Sequence, residues 1–384
     1  MQYWVWLTTR HHINAAFGAA LLEHFGSPQA IWEAQRDMLE AVPSMTQVRM
    51  DALMEKDLSG AQRILQDCQK SQTNIVTIFD DDYPYHLRDI AQPPLVLYVR
   101  GTLPDFRQKL AITIVGTRKA SPYGLQASRY FAGNLAQNGC IIVSGMALGI
   151  DGQANRAAIE AGGTTVAVLG CGTDVCYPWQ NEQLMQQIIQ HGAVISEYPP
   201  GTEPTAWHFP QRNRIMTGLS RGTLLVEAPK NSGAMISANY ALEQGRDVFA
   251  VPADINRPNG EGCNMRIREG SAELVQSPAD ILAYYGHTES IPYTAAHKTQ
   301  RPVPQRKLAA KSSAPEPVKR KVDGTETECK VWQAVAQQYK TVDAIVDHTG
   351  LSAAEVLTAL TMLEVGAYIT RTDDGVYPAA DAEL

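Results

Sequence analysis

Residues 111–152 read AITIVGTRKASPYGLQASRYFAGNLAQNGCIIVSGMALGIDG. An apolar run at 111–115 ends in Gly116-Thr117-Arg118, an amphipathic stretch follows, and a second apolar run at 140–143 ends in Ser144-Gly145. Runs without polar alternation suit strands buried on both faces, and strands joined by crossover helices pair in parallel. The same rhythm recurs on either side. Runs at 75–79, 95–99, 165–169, 193–195, 223–226 and 248–251 alternate with amphipathic stretches of about 12–16 residues. The expected core, residues 73–286, is therefore a doubly wound α/β sheet larger than a minimal nucleotide-binding half.

Upstream, residues 1–72 show helical periodicity in Phe17-Gly-Ala-Ala-Leu-Leu-Glu-His-Phe25 and in Ile31-Trp-Glu-Ala-Gln-Arg-Asp-Met-Leu39, separated by Gly26-Ser27-Pro28. This predicts a small helical domain of the SAM or helix-hairpin-helix kind, either a DNA binder or a packing module without a ligand. Residues 287–321 hold Pro292, Pro302, Pro304, Pro315 and Pro317 among Lys, Ala, Ser and Gln, the composition of a flexible basic linker. Helical stretches at 328–338, 342–348 and 353–365, then a hairpin at 368–371 and 375–377, predict a C-terminal winged-helix domain over residues 322–384.

A chain of 384 residues, 44% of them hydrophobic, can bury a sizeable core. Its net charge of −7 is unevenly spread. Residues 298–321 carry 8 Lys/Arg against 1 Asp/Glu, residues 322–384 carry 3 against 11, and residues 1–297 carry 22 against 28. An acidic average does not exclude a nucleic-acid partner, which needs only a local basic groove. The best recognition-helix candidate, 352–364, has no Lys or Arg, so the terminal domain is expected to contact protein rather than DNA. The six cysteines form no C-x-x-C pair, so no zinc site is expected and they read as small buried hydrophobes. Arg10, His11 and His12 interrupt the early apolar residues, and no run approaches the roughly 18–20 apolar residues that span a bilayer. A cytoplasmic protein without signal peptide or membrane segment is expected.

Four strand ends carry the candidate site. Gly116 lets the backbone approach a phosphate, Thr117 offers a hydroxyl, and Arg118 adds a fork of donors. A structural turn explains the same three residues. The second junction, Ser144-Gly145-Met-Ala-Leu-Gly149-Ile-Asp-Gly152, places glycines where strand gives way to helix, the edge at which open α/β sheets bind ligands. In Trp207-His-Phe209-Pro-Gln-Arg212-Asn213-Arg214 an aromatic residue precedes two guanidiniums. Phe209 could stack an unpaired base while Arg212, Asn213 and Arg214 hold phosphates. The alternative for Arg212 or Arg214 is a buried ion pair with Glu197 or Glu227. The fourth junction supplies Lys230 and a Ser232-Gly233 helix start. Four such ends in succession suit one elongated anion, a polymer rather than a mononucleotide.

The strand ends lack G-x-G-x-x-G, a Walker lysine, a Ser-His-Asp set and metal-ligand spacing. No cofactor, metal or catalytic residue is expected. Asp151, Glu197 and Glu227 could form a carboxylate site in principle, but Asp151 reads as a helix cap.

Taken together, I-V-G-T-R, S-G-M-A-L-G-I-D-G-Q-A-N, V-L-G-C-G-T-D-V-C-Y-P, S-E-Y-P-P-G, F-P-Q-R-N-R-I, V-E-A-P-K-N-S-G-A and G-R-D-V-F-A-V-P resemble the DNA-processing protein A family, DprA or Smf. Asn155, Ala253, Arg266 and Ser271 depart from the usual family pattern, all outside the glycine and arginine loops. The resemblance implies a Rossmann-like core that binds single-stranded DNA, protects incoming DNA in natural transformation and loads the RecA recombinase on it, without catalysis. It also implies a homodimer. Ile267 and Leu274 fall in the family's dimer segment and would share a helical face if the helix runs on through both.

Overall fold

The computed structural model describes residues 1–286, 320–321, 325–337, 339, 341–365, 368–372, 375–378 and 382–383. The chain divides into two compact units, Met1–Thr299 and Gln300–Leu384. The linker expected at 287–321 lies outside the described residues except for Arg320 and Lys321.

The first unit opens with six helices: α1 (Gln2–Thr8), α2 (Ala15–Phe25), α3 (Pro28–Glu33), α4 (Arg36–Glu40), α5 (Gln47–Met54) and α6 (Ser59–Lys70). Their ends follow from local chemistry. Asn14 and Ser27 accept the amides of Phe17 and Ala30, Pro28 opens α3, and Gly26 closes α2 at φ +77°. The single helix expected over 31–39 is instead two. Lys56 Nζ donates to the Ile31 carbonyl at 3.2 Å, and Trp32 Nε1 donates to the Lys56 carbonyl at 3.2 Å. With the Ile31 carbonyl satisfied from outside, the chain turns extended at Ala34 and restarts. Val5, Trp6, Leu21, Ile31, Leu39 and Leu53 form this segment's own core, which also takes in Leu95.

A nine-stranded sheet follows in the order β1-β2-β6-β5-β4-β3-β7-β8-β9. The strands are β1 (Asn74–Thr77), β2 (Val96–Gly101), β3 (Ala111–Val115), β4 (Ile141–Ser144), β5 (Thr164–Leu169), β6 (Gly192–Ser196), β7 (Gly222–Leu225), β8 (Asp247–Ala250) and β9 (Glu273–Leu274). From β6 to β9 every neighbour is parallel. The all-parallel expectation fails at the other edge, where β2 runs antiparallel to β6 and β1 antiparallel to β2. The segment joining β1 to β2 holds only a short 3-10 turn, Tyr85–Asp89, and a connection without a crossover helix returns the chain in the opposite direction.

Helices α7 (Pro122–Gln137), α8 (Ile150–Glu160), α9 (Glu182–His191), α10 (His208–Leu219), α11 (Gly233–Glu243), α12 (Glu261–Arg268) and α13 (Pro278–Tyr284) cover the sheet. Alternation along each strand divides the core in two. Ile112, Ile114, Leu224 and Phe249 pack under Phe131, Leu135, Ala157 and Ile281, whereas Val115, Val143, Val168 and Leu225 pack under Ile215, Met216, Ala238 and Cys263. The chain winds from β3 outward to β6, then returns to place β7 on the opposite side of β3. The gap between the carboxyl ends of β3 and β7 is thus the switch point at which doubly wound sheets leave a crevice.

The second unit contains α14 (Glu326–Ala336), α15 (Val342–Thr349) and α16 (Ala353–Val365). An antiparallel hairpin of β11 (Ile369–Thr372) and β12 (Gly375–Pro378) follows, and β10 (Arg320–Lys321) pairs with β13 (Ala382–Glu383). Val331, Val335, Ile345, Val356, Leu360 and Ile369 fill its core. Three helices and a hairpin reproduce the expected winged-helix arrangement. No helix among the described residues is long and apolar enough to cross a membrane.

Candidate nucleic-acid interface

A cavity of about 490 Å³ opens at the switch point, lined among others by Gly116, Thr117 and Arg118 after β3, Phe209, Arg212 and Asn213 on α10, and Ser232 and Gly233 at the start of α11. A smaller hollow of about 60 Å³ adjoins it and shares Arg118, Phe209 and Arg212 while adding Gly145. Nine expected site residues therefore meet in one place. A larger cavity, about 800 Å³, lies beside β1 and β2, but Asp80, Asp81, Asp82 and Asp105 line it with Arg107 as the only cation among the described residues. Such a wall repels phosphate, so size does not select the site.

Arg118 is exposed and makes no ion pair among the described residues; its guanidinium stands 5.4 Å from the Phe209 ring centre. Tyr177, which the sequence reading passed over, lies 5.2 Å from Phe209 and lines both hollows. An unpaired cation and two rings at one mouth present surfaces for a phosphate and a base. Also lining the cavity, Ser232 and Ser237 have buried hydroxyls with no hydrogen-bond partner among the described residues. Buried polar groups normally find partners, so a ligand oxygen at the start of α11 would satisfy the Ser232 hydroxyl and the helix dipole.

Beneath the cavity lies a fixed charge pair. Arg212 is 4% exposed and donates to the carbonyls of Gly145, at 3.1 Å, and Val168. Its guanidinium is committed to the floor, shaping the cavity and contributing field rather than reaching out. Burial lowers its pKa to about 10, which still leaves it charged at neutral pH. Asp151 lies in the first turn of α8, whose cap position is Gly149, and its carboxylate accepts the Gly145 amide at 3.2 Å. It ties two strand ends together instead of capping the helix. A Cβ on Gly145 would stand 2.6 Å from both Arg212 Nη2 and Asp151 Oδ2, so only glycine fits between them. Gly149 has φ +78°, and a Cβ there would meet the Thr117 carbonyl at 2.3 Å, which locks the β4 loop against the β3 loop.

Several expected site residues lie elsewhere. Ser144 is fully buried, its hydroxyl donating to the Ile114 carbonyl at 2.6 Å. Gly149 supports the loops without lining either hollow. Arg214 takes the ion-pair alternative: Nη2 donates to both Glu197 oxygens, at 2.7 and 2.6 Å. Lys230 lines a separate hollow with Glu261 and Arg268. Glu227 accepts the Ser121 amide at 2.8 Å, so Asp151, Glu197 and Glu227 serve three different partners and form no carboxylate site. No group of metal-ligating side chains occurs among the described residues. Ile267 and Leu274 do not share a helical face. Helix α12 stops at Arg268, Gly270 turns the chain at φ +69°, and Leu274 sits on β9. Ile267 packs half-buried against the core, whereas Leu274 is 43% exposed.

Fold and site define a Rossmann-like protein with a cationic, aromatic cavity at the switch point and a separate winged-helix unit. The chain belongs to the DNA recombination-mediator protein A family, whose model matches residues 74–286, and a DprA winged helix domain model matches residues 310–375. Protein Smf of Synechocystis sp. is 33% identical over 381 residues, covering 94% of each chain. The solved structure of DNA processing protein A from Streptococcus pneumoniae superposes with TM-score 0.66 at 34% identity, over 74% of this chain and 97% of that one. A structure describing the single-stranded DNA binding mode of DNA processing protein A from Helicobacter pylori gives TM-score 0.50 at 30% identity, over 56% of this chain and 97% of that one.

Proposed function

We propose that this recombination mediator binds single-stranded DNA in the switch-point cavity, protects incoming DNA in natural transformation and hands it to RecA, catalysing nothing itself. The carrying observation is Arg118, exposed, free of any ion pair among the described residues and set over Phe209. Arg118 would bind a phosphate and Phe209 a base, with Gly116, Thr117, Asn213, Ser232 and Gly233 completing the wall. Arg212 is read as floor rather than ligand, and Ser144, Gly149, Arg214 and Lys230 are left out of direct contact. A strand bound through phosphates releases counterions, so affinity for oligo-dT should fall linearly with log salt. Arg118→Ala should flatten that slope by about one unit. Wild-type affinity indifferent to salt would remove phosphate from the proposal.

The homodimer is proposed through the β9 edge. Leu274 is exposed there on the last strand of the sheet, an edge that exposes unpaired backbone groups. Leu274→Arg should give a folded monomer, read as halved mass by light scattering with an unchanged circular dichroism spectrum. Ile267→Arg should instead lower thermal stability, because that side chain packs on the core. A Leu274→Arg protein of wild-type mass would displace the interface from this edge. The winged-helix unit, whose α16 sequence carries Glu355 and Glu364 but no Lys or Arg, is read as a protein-contact module.

A further inference from the structure

Two of the six tryptophans stand almost fully in solvent: Trp179 is 75% and Trp207 is 72% exposed. By contrast Trp6 is completely buried and Trp332 is 8% exposed. An indole is a large apolar surface that folding ordinarily covers, so two left bare mark a surface with another use. Neither ring packs on another aromatic ring among the described residues.

Their places in the chain set them beside the cavity. Trp179 follows Tyr177 by two residues, and Trp207 precedes Phe209 by two. Tyr177 and Phe209 lie 5.2 Å apart at the mouth, and two residues span at most about 7 Å, so the backbone at both tryptophans passes beside the same opening, just outside the residues that line it. The intervening residues confirm the proximity, since Pro178 lines the smaller hollow and Ala206 the larger. A cavity of about 490 Å³ has room for roughly one nucleotide, so any bound strand must leave it across the lip.

We propose that Trp179 and Trp207 are stacking platforms for the unpaired bases that flank the nucleotide held in the cavity, so that the bound segment extends beyond it. The inference rests on the single-strand reading above and adds a length requirement and a reason for rejecting duplex. Base faces are free to stack on a side chain only in a single strand. Continuity with a mouth that holds an unpaired guanidinium and two rings favours nucleic acid over protein as the occupant.

The test titrates the full chain with oligo-dT of graded length, following tryptophan emission and affinity. Wild-type emission should be quenched by long oligonucleotides. Trp179→Ala and Trp207→Ala should each weaken long oligonucleotides by about fivefold or more, leave the mononucleotide dTMP unaffected, and keep the salt slope, because an indole neutralises no phosphate. Trp179→Phe with Trp207→Phe should restore affinity without restoring the quench. Wild-type affinity for long oligonucleotides in the double alanine variant overturns the inference, as does a quench that survives in it. If Arg118→Ala weakens every length while the tryptophan variants change nothing, only this inference falls. If no oligonucleotide binds wild type, the single-strand reading falls and takes it along. A change of mass in the double variant by light scattering would make the lip a protein interface and would equally overturn it.

Discussion

Arg214→Ala should lower the free energy of unfolding by about 3 kcal/mol and leave the salt dependence of oligonucleotide binding untouched. The side chains of Arg214 and Glu197 are 10% and 24% exposed and meet through Nη2 at 2.7 and 2.6 Å. An exposed ion pair of the same geometry would contribute about 0–1 kcal/mol. Here removal of the cation strands a carboxylate with little water to replace it, which costs about 3–5 kcal/mol in buried pairs. The residual solvent access of Glu197 places the effect at the lower end. Glu197→Gln keeps the shape and removes the charge, so it should destabilise in the same direction, and the double variant should lose less than the two singles combined. Chemical unfolding gives all four values. Had Arg214 been a phosphate ligand, as its place beside Arg212 suggests in the sequence, the alanine variant would keep its stability and lose about one unit of salt slope. That pattern would return Arg214 to the cavity.

The contrast between Arg212, Arg214 and Arg118 shows where sequence reading stops. A strand followed by Gly116-Thr117-Arg118 puts Arg118 at a carboxyl edge in any doubly wound sheet, so its placement follows from the periodicity of residues 111–152 alone. Arg212 and Arg214 lie on α10, a helix with its last eight residues buried, and what they touch depends on which carbonyls and carboxylates the sheet brings beneath them. Glu197 follows β6 and Val168 lies on β5, both remote in sequence. Lys230 left the site for a similar reason: it follows β7 beside Ser232, but its turn faces α12. The eight apolar runs located their strands because each carries its own core-facing pattern. Strand β9 has only two residues, too few to show a period of its own, so the helix expected to run on through Leu274 stops at Gly270-Ser271 instead. Antiparallel β1 and β2 were legible in principle from the missing crossover helix between them. Tyr177 was visible as an aromatic after β5, but only its 5.2 Å approach to Phe209 gives it a role.

A pH effect that can be read at a single residue should come from Asp151. Burial pushes its carboxyl up from 3.8 to about 6, against the downward pull of Arg212, the Gly145 amide, Arg118 and the Gly116 amide. An unfolded chain releases this proton near 3.8 and the native state near 6, so between those values the native state holds a proton that the unfolded state has lost. Stability then falls as pH rises through the window. Above about 6 both states are ionised and the full cost applies, on the order of 3 kcal/mol at about 1.4 kcal/mol per pH unit. The ionised form is kept because it holds the strand ends of β3 and β4 by their amides and offsets the Arg212 charge across bare Gly145. Asp151→Asn cannot titrate. The stability difference between wild type and this variant, measured by urea unfolding in steps from pH 4 to 8, should therefore shift against wild type by about 2 kcal/mol between about pH 4 and 6 and level off above about pH 7. Taking the difference cancels every other titrating group, which makes the slope specific to residue 151. Two stability curves that run parallel from pH 4 to 8 would mean that Asp151 titrates alike in both states and that the floor of the cavity is wetter than its burial indicates.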